Sequence, residues 1–168
     1  MYDPLTCLWT RDELIIEELQ IMLEKIKTIV RENDICVLAT TGANDPHTSL
    51  MAYACSSDCT EIYMVTPVKT LKYRNITGNA GVSLLVDTRE KEPRAGIQAL
   101  TITGQAHTIR DVGKKDLVRK QIQLRHAHLQ GLLDQPEIAF ICVRIESFQL
   151  QSGVNKAYYM RMDENSYL

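Results

Sequence analysis

The chain has no apolar run approaching the ~20 residues that a bilayer-spanning helix needs, so a membrane-crossing role is not expected. It also lacks an excess of either charge. Nineteen Lys and Arg against twenty-one Asp and Glu leave a formal charge of -2, which gives no compositional support to nucleic-acid or anionic-membrane partners. Any anion site must therefore be local. No Ser-His-Asp set, paired-carboxylate arrangement or Gly-rich nucleotide loop stands out, so hydrolytic and dinucleotide-fold readings have little to stand on. With no internal repeat and no Gly-, Ser- or Pro-rich linker, 168 residues are read as one domain with a single core, spanning 1–168. The first twelve residues lack the basic-then-apolar order of a secretory signal, and a cytoplasmic location is the expectation.

Cysteine usage points the same way. The five cysteines form an odd set, and Cys36 and Cys142 fall inside apolar strands where a thiol behaves as a small hydrophobe, which fits a reduced compartment. Cys55 and Cys59 flank a Ser-Ser-Asp turn, and they read as a redox pair, half of a metal site, or two plain thiols near a hairpin. No second ligand pair follows at zinc spacing, so no metal is expected.

What is present is a regular alternation of element signals. Thr10 and Glu13 make a capping-box pattern, and Leu14, Ile15, Leu19, Met22, Leu23, Ile26, Ile29 and Val30 recur at helical spacing, predicting a helix over about 11–31 that covers an apolar surface. Strands are predicted at 35–41, 47–55 and 61–66, forming an antiparallel meander, then at 82–87, 97–109 and 138–150. A second long helix follows Asp111 and ends at Asp134-Gln135-Pro136, and Gly104 marks a bulge or close approach. Residues 88–95 read as a charged loop, and the tail 151–168 shows no clear period. Six strands with inserted helices favour an antiparallel barrel over a parallel sheet.

The stretch from Met64 to Asp87 carries the chemistry. A strand ends at Thr66-Pro67, a short Lys-rich helix follows, and free helix N-terminal N–H groups put Thr66, Lys69, Thr70 and Lys72 within reach of one phosphate. The alternative is a solvated helix start in which Thr66 is only a cap. His126 and His128, two apart on a predicted helix, point to different faces and do not chelate together.

Taken in order, ICVLATT at 35–41, PHTSLMAY at 46–53, EIYMVT at 61–66, KYRNITGNAGVSLLV at 72–86 and ALTITGQA at 99–106 resemble the FMN-binding split-barrel superfamily, which includes the pyridoxamine 5'-phosphate oxidases; the likeness covers about 12–150. The resemblance implies a mainly β, six-stranded antiparallel split barrel of Greek-key type, about 35–150, with flanking helices. It implies FMN held at a homodimer interface and an oxidoreductase acting on a small molecule. By that likeness Thr66 and Lys72 hold the phosphate, with Lys69 and Thr70 as additions. Ser49, Leu50, Met51, Ala52 and Tyr53 lie along the flavin ring, and Gln98 falls about one residue from a glutamine that meets the cofactor. Two charges of the true oxidases are missing, since Ser49 and Ala54 stand where an Arg and a Lys would be. The terminal Arg and His pair for a pyridoxal substrate is missing too, so pyridoxamine phosphate oxidation is not expected. The alternatives are a non-catalytic protein that stores, senses or delivers flavin or haem, with one of the two histidines as axial ligand, and a reductase using the deazaflavin F420.

Overall fold

The computed structural model describes residues 11–89, 97–153 and 156–162, the side chains of 12–14 excepted. The predicted cap at Thr10 and Glu13, the Leu14 side chain, Cys7, most of the charged loop and the last residues of the tail lie outside that set.

Helix α1 (Arg11–Glu32) leads into β1 (Ile35–Gly42) and β2 (Asp45–Ala52), joined by a tight turn in which Ala43 and Asn44 both take positive φ, 46° and 72°. A short β3 (Ala54–Cys55) and β4 (Glu61–Pro67) follow, then α2 (Leu71–Gly78), β5 (Gly81–Asp87) and β6 (Gln98–Thr108). Helix α3 (Val112–Arg125), a 3-10 turn at Ala127–Leu129, α4 (Gln130–Leu133), β7 (Ile138–Ser152) and β8 (Lys156–Arg161) complete the described chain. Among the described residues the sheet has eight strands, not the six expected. The expected strand 47–55 is cut at Tyr53 into β2 and β3, and the tail without a period contributes β8, an edge strand exposed along most of its length. Edge strands exposed on both faces need no alternation, which is why β8 left no periodic signal.

The order β2-β1-β5-β6-β7-β4-β3, antiparallel throughout, has β2 and β3 at its two ends. Those strands are successive in the chain, separated only by Tyr53. A sheet whose first and last strands are covalently joined must curl back on itself, and the result is the split barrel. Its interior is apolar: Leu38, Ile62, Met64, Leu84, Leu100, Ile102, Ile141, Phe148 and Leu150 are buried together. A second cluster lies outside the barrel, where α3 and α4 set Val118, Ile122 and Leu133 against Tyr63, Val65, Phe140 and Cys142. This explains why β4 and the first half of β7 are buried on both faces although β7 alternates in sequence.

Two helical expectations are corrected. The predicted stripe of α1 covers the barrel only in its second half. Ile26, Ile29 and Val30 are buried while Ile15 and Leu19 stay exposed, because a 22-residue helix is longer than the surface it lies on. The second long helix breaks at His126, whose φ of -133° and ψ of 65° leave the helical region. No described helix is long and apolar enough to cross a membrane.

The bulge expected at Gly104 is present, the register between β6 and β7 shifting between Thr103 and Gly104. A Cβ at Gly104 would stand 2.2 Å from the Arg144 carbonyl oxygen. Gly104→Ala should therefore destabilise the fold by about 2 kcal/mol or more, through forced backbone displacement. Gly131→Ala, with nothing within 4 Å of its Cβ, should be neutral or slightly stabilising. Urea midpoints at unchanged slope measure both.

Candidate functional site

The start of α2 is built by hydroxyls. Thr66, at the end of β4, is buried, and its Oγ1 lies 3.1 Å from that of Thr70. Thr70 is the N-cap: it donates to the Pro67 carbonyl at 3.0 Å and accepts from the Tyr73 N–H at 3.4 Å. The N–H groups of Leu71 and Lys72 precede the intrahelical ladder and point out of the helix start. Lys72 is half-buried and, among the described residues, forms neither a hydrogen bond nor an ion pair. Lys69 is exposed and pairs with Glu137 at 2.6 Å, with both partners wet, so the pair is worth at most about 1 kcal/mol. Of the four predicted phosphate residues, then, Thr66 and Thr70 meet, Lys72 follows in the first turn of α2, and Lys69 faces a carboxylate. The helix itself is fixed on the barrel by Ile76 and by the buried Asn75, whose side-chain amide donates to Thr40 at 3.1 Å.

Strand β2 supplies the second wall. It pairs with β1 on one side, from Gly42↔Asp45 to Ile35↔Ala52, and is the outermost strand of the sheet on the other. The Tyr53 N–H donates to the Asp34 carbonyl at 2.9 Å. Because antiparallel pairs alternate, Met51 and Ser49 spend their peptide groups on β1, and the N–H and C=O groups of Thr48, Leu50 and Ala52 face the open edge. On the far side of that edge runs β4. The register Ala54↔Tyr63 and Cys55↔Ile62, carried on past Tyr53, sets Met51 opposite Thr66. The strands do not pair there. The barrel is split at this point, between an unsatisfied strand edge and the start of α2.

The side chains of the five ring-wall positions point elsewhere. Met51 and Tyr53 are buried in the core, Ser49 shares a 3.2 Å hydrogen bond with His47 Nε2, and Leu50 is 73% exposed on the outer face of the sheet. Gln98 opens β6, and its backbone is tied to Thr88 through bonds of 2.9 and 3.1 Å. Thr108, at the other end of the same strand, donates to Tyr73 of α2 at 3.3 Å. Ten residues of strand, about 30 Å, thus separate Gln98 from the phosphate side within one chain. The positions of the missing oxidase charges carry nothing that replaces them, Ser49 facing His47 and Ala54 packed at the β3–β4 junction.

An open groove of about 690 Å³ lies beside α2, between it and the β1–β2 turn, and includes Asp45, His47, Leu71, Arg74 and Asn79. Sequence reading missed this groove because its walls come from segments that carry only turn and helix signals. It equally missed the cluster in which Lys114 bonds Glu61 at 2.7 and 2.9 Å while the Tyr63 hydroxyl donates to Glu61 at 2.5 Å. Burial would raise the Glu61 carboxyl, but the bonds from Lys114 and Tyr63 prevail and hold it below the usual range. The cluster buttresses α3 against β4, and its partners are too far apart in sequence to announce themselves.

The histidines separate as well. His126 is buried, its Nε2 2.9 Å from the Tyr53 carbonyl oxygen, which can only accept, so that nitrogen carries the proton. That bond takes up Nε2 and leaves only Nδ1 of this buried ring without a described partner, whereas His128 is exposed. Among the described residues no three His, Cys, Asp or Glu side chains gather as a metal site.

Comparison with known proteins gives a family and a fold. The family model described as pyridoxamine 5'-phosphate oxidase matches residues 22–152. No curated protein matches the sequence at a significant level. A haem-binding protein from Mycobacterium smegmatis superposes with a TM-score of 0.73 at 16% identity, over 83% of this chain and 57% of that one. A haem storage protein from Vibrio cholerae gives 0.64 at 21% identity, over 73% and 89%, respectively. An FAD-binding protein from Mesorhizobium loti gives 0.63 at 17%, over 76% and 91%. At these identities the structures share the fold.

Proposed function

The chain belongs to the pyridoxamine 5'-phosphate oxidase family, and from that premise we propose that it is an FMN-binding homodimer that carries out oxidation or reduction of a small molecule. The observation that carries the reading is the start of α2, where two hydroxyls 3.1 Å apart, a half-buried Lys72 without a described partner and two outward N–H groups adjoin an open strand edge. This donor set fits a phosphate: a dianion would complete the bonds that Lys72 and the first-turn amides lack, and the Thr66 hydroxyl can turn to it from Thr70, whose own hydrogen is spent on Pro67. The edge peptides of Leu50 and Ala52 offer alternating donors and acceptors to the polar rim of a ring system. FMN, when bound, supplies the redox chemistry, and the chain's part is to bind the phosphate, orient the ring and exclude water.

The dimer reading rests on the outer face of β2, β1 and β5. Leu50, Val37 and Leu85 stand in one row across the three strands, flanked by Ile35 and Ala39, with the Asp87–Arg89 ion pair at the margin of this apolar patch. An apolar patch beside an unpaired strand edge is what a twofold-related copy can cover, and it would bring a second chain to each phosphate site. Such a copy also supplies a route by which Gln98 reaches a ring it cannot reach within its own chain.

A haem reading draws support from the fold shared with the two haem proteins, and here His128 is the exposed histidine. The absorption of the purified protein separates the readings, flavin bands bleaching with reductant and haem giving a Soret band that His128→Ala removes. A colourless protein that also refuses FMN in titration would overturn the proposal.

Two variants test the geometry. Replacing Lys69 and Lys72 together with Ala should weaken FMN by roughly a hundredfold, at about 1.5 kcal/mol for each charge-assisted bond, and riboflavin hardly at all. Equal weakening of the two ligands would count against the α2 site. Leu50→Asp should convert the dimer to monomer in light scattering while the circular dichroism of the fold is kept, and a dimer undisturbed by this charge would place the interface elsewhere.

A further inference from the structure

Cys55 and Cys59 bracket the turn between β3 and β4, away from the α2 site. The turn is tightly specified: the Ser56 N–H donates to Glu61 at 2.9 Å, the Cys59 N–H to Ser56 at 3.0 Å, and the Ser56 hydroxyl to Asp58 at 2.6 Å. Cys59 adopts a φ of 59°, a left-handed conformation that a side chain with a Cβ rarely takes. A glycine or asparagine would sit there at less strain. The conformation turns the Cys59 side chain inward, fully buried, where its thiol lies 3.8 Å from the Lys27 carbonyl of α1, in the core cluster against which Cys55 packs. Cys55 is only half-buried.

We propose that Cys55 and Cys59 are a peroxide-reactive dithiol, Cys55 attacking a hydroperoxide and Cys59 closing an intramolecular disulfide across the β3–β4 turn. With hydrogen peroxide as oxidant, the Cys55 thiolate forms an S–O bond as the O–O bond breaks and hydroxide leaves. The Cys59 sulfur then attacks the Cys55 sulfur, an S–S bond forms, the S–O bond breaks, and water departs with the Cys59 proton. Two electrons and two thiol hydrogens pass to one peroxide.

The surroundings divide the labour between the two sulfurs. The Cys59 thiol, its one hydrogen turned from the Lys27 carbonyl to the Cys55 sulfur, lowers the first ionisation of the pair at Cys55; burial opposes it, Arg125 and Arg31 assist it, and Asp58 opposes it. Arg125 is held in place by the carbonyls of Arg31 and Asn33, and Arg31 also reaches the Ser57 carbonyl of the turn at 3.4 Å. Cys59 is pushed the other way by Cys55 and by burial, although Arg31 and Lys27 moderate it, so it waits as the thiol. Cys36 and Cys142, both pushed up to about 12, chiefly by burial, are inert internal standards. Closing the disulfide removes the Cys59 donor from Lys27 and so loosens the contact of the turn with α1.

The test uses the full chain with Cys7→Ser, freed of reductant and treated with one equivalent of hydrogen peroxide, then blocked with a maleimide in denaturant and analysed by mass spectrometry. The expected result is that Cys55 and Cys59 escape blocking together with the loss of two hydrogen masses, while Cys36 and Cys142 are blocked. Cys59→Ser should trap Cys55 as a sulfenic acid that dimedone captures, and Cys55→Ser should leave Cys59 unoxidised. Before oxidation, native Cys55 should alkylate at least ~10-fold faster than Cys36, with a pH midpoint below that of free cysteine. Cys55 no faster than Cys36, a bond between two copies of the chain in place of the internal one, or oxidation of Cys59 in the Cys55→Ser variant would each overturn the proposal.

Discussion

Tyr53 holds the architecture together by standing where one strand becomes two. Its N–H is bonded to Asp34 beside β1, its carbonyl receives His126 from the end of α3, and its hydroxyl donates to Val30 near the end of α1, each at 2.9 Å. The guanidinium of Arg125 lies over its ring at 5.6 Å. The side chain is completely buried, so its one polar atom has to find a partner, and the Val30 carbonyl in the last turn of α1 is that partner. Three elements are thereby fixed to a single residue at the point where the chain leaves β1 and crosses to β4.

The split in the barrel follows from this. Because Tyr53 spends its backbone on Asp34 and His126, the chain beyond it turns to β4 for only two residues, and the chain before it stays with β1. Between the two partners lies an edge that the chain itself leaves open. An unsatisfied edge beside a buried hydroxyl pair and a helix start would be a liability in a finished monomer. In the proposed reading a phosphate-bearing ring and a second chain occupy them and turn the same features into binding contacts, so that the fold and the proposed function have one cause.

Much of this was legible in the sequence. The order of strands and the short Lys-rich helix could be read because each is local: apolar alternation, turn formers, and Thr70 capping three residues before Tyr73. Gly104 declared its bulge because glycine weakens a strand interior and is tolerated there where a bulge or a close backbone needs the room. What stayed hidden depends on long-range partners. Tyr53 looked like one more strand residue because Val30, Asp34 and His126 are remote from it. The break of the second helix at His126 leaves no trace in helical periodicity, since the residue departs from the helix to meet a carbonyl 73 positions away. Ile15 and Leu19 show the limit of pattern reading: amphipathic spacing says that a face is apolar and not what covers it. At the candidate site the hydroxyls and Lys72 could be found from a motif, whereas the open edge of β2 could only be found from the topology.

The central claim is that one slot, bounded by the edge of β2 and the start of α2, holds the phosphate-bearing flavin. Amide chemical-shift mapping during FMN titration tests it most directly, since every backbone group on both walls reports separately. The account predicts the largest shifts at Thr70, Leu71, Lys72 and Tyr73 together with Thr48, Leu50 and Ala52. Shifts confined to Ala43, Asn44, Asp45 and Asn79 of the neighbouring groove, or to the surroundings of His128, would contradict it.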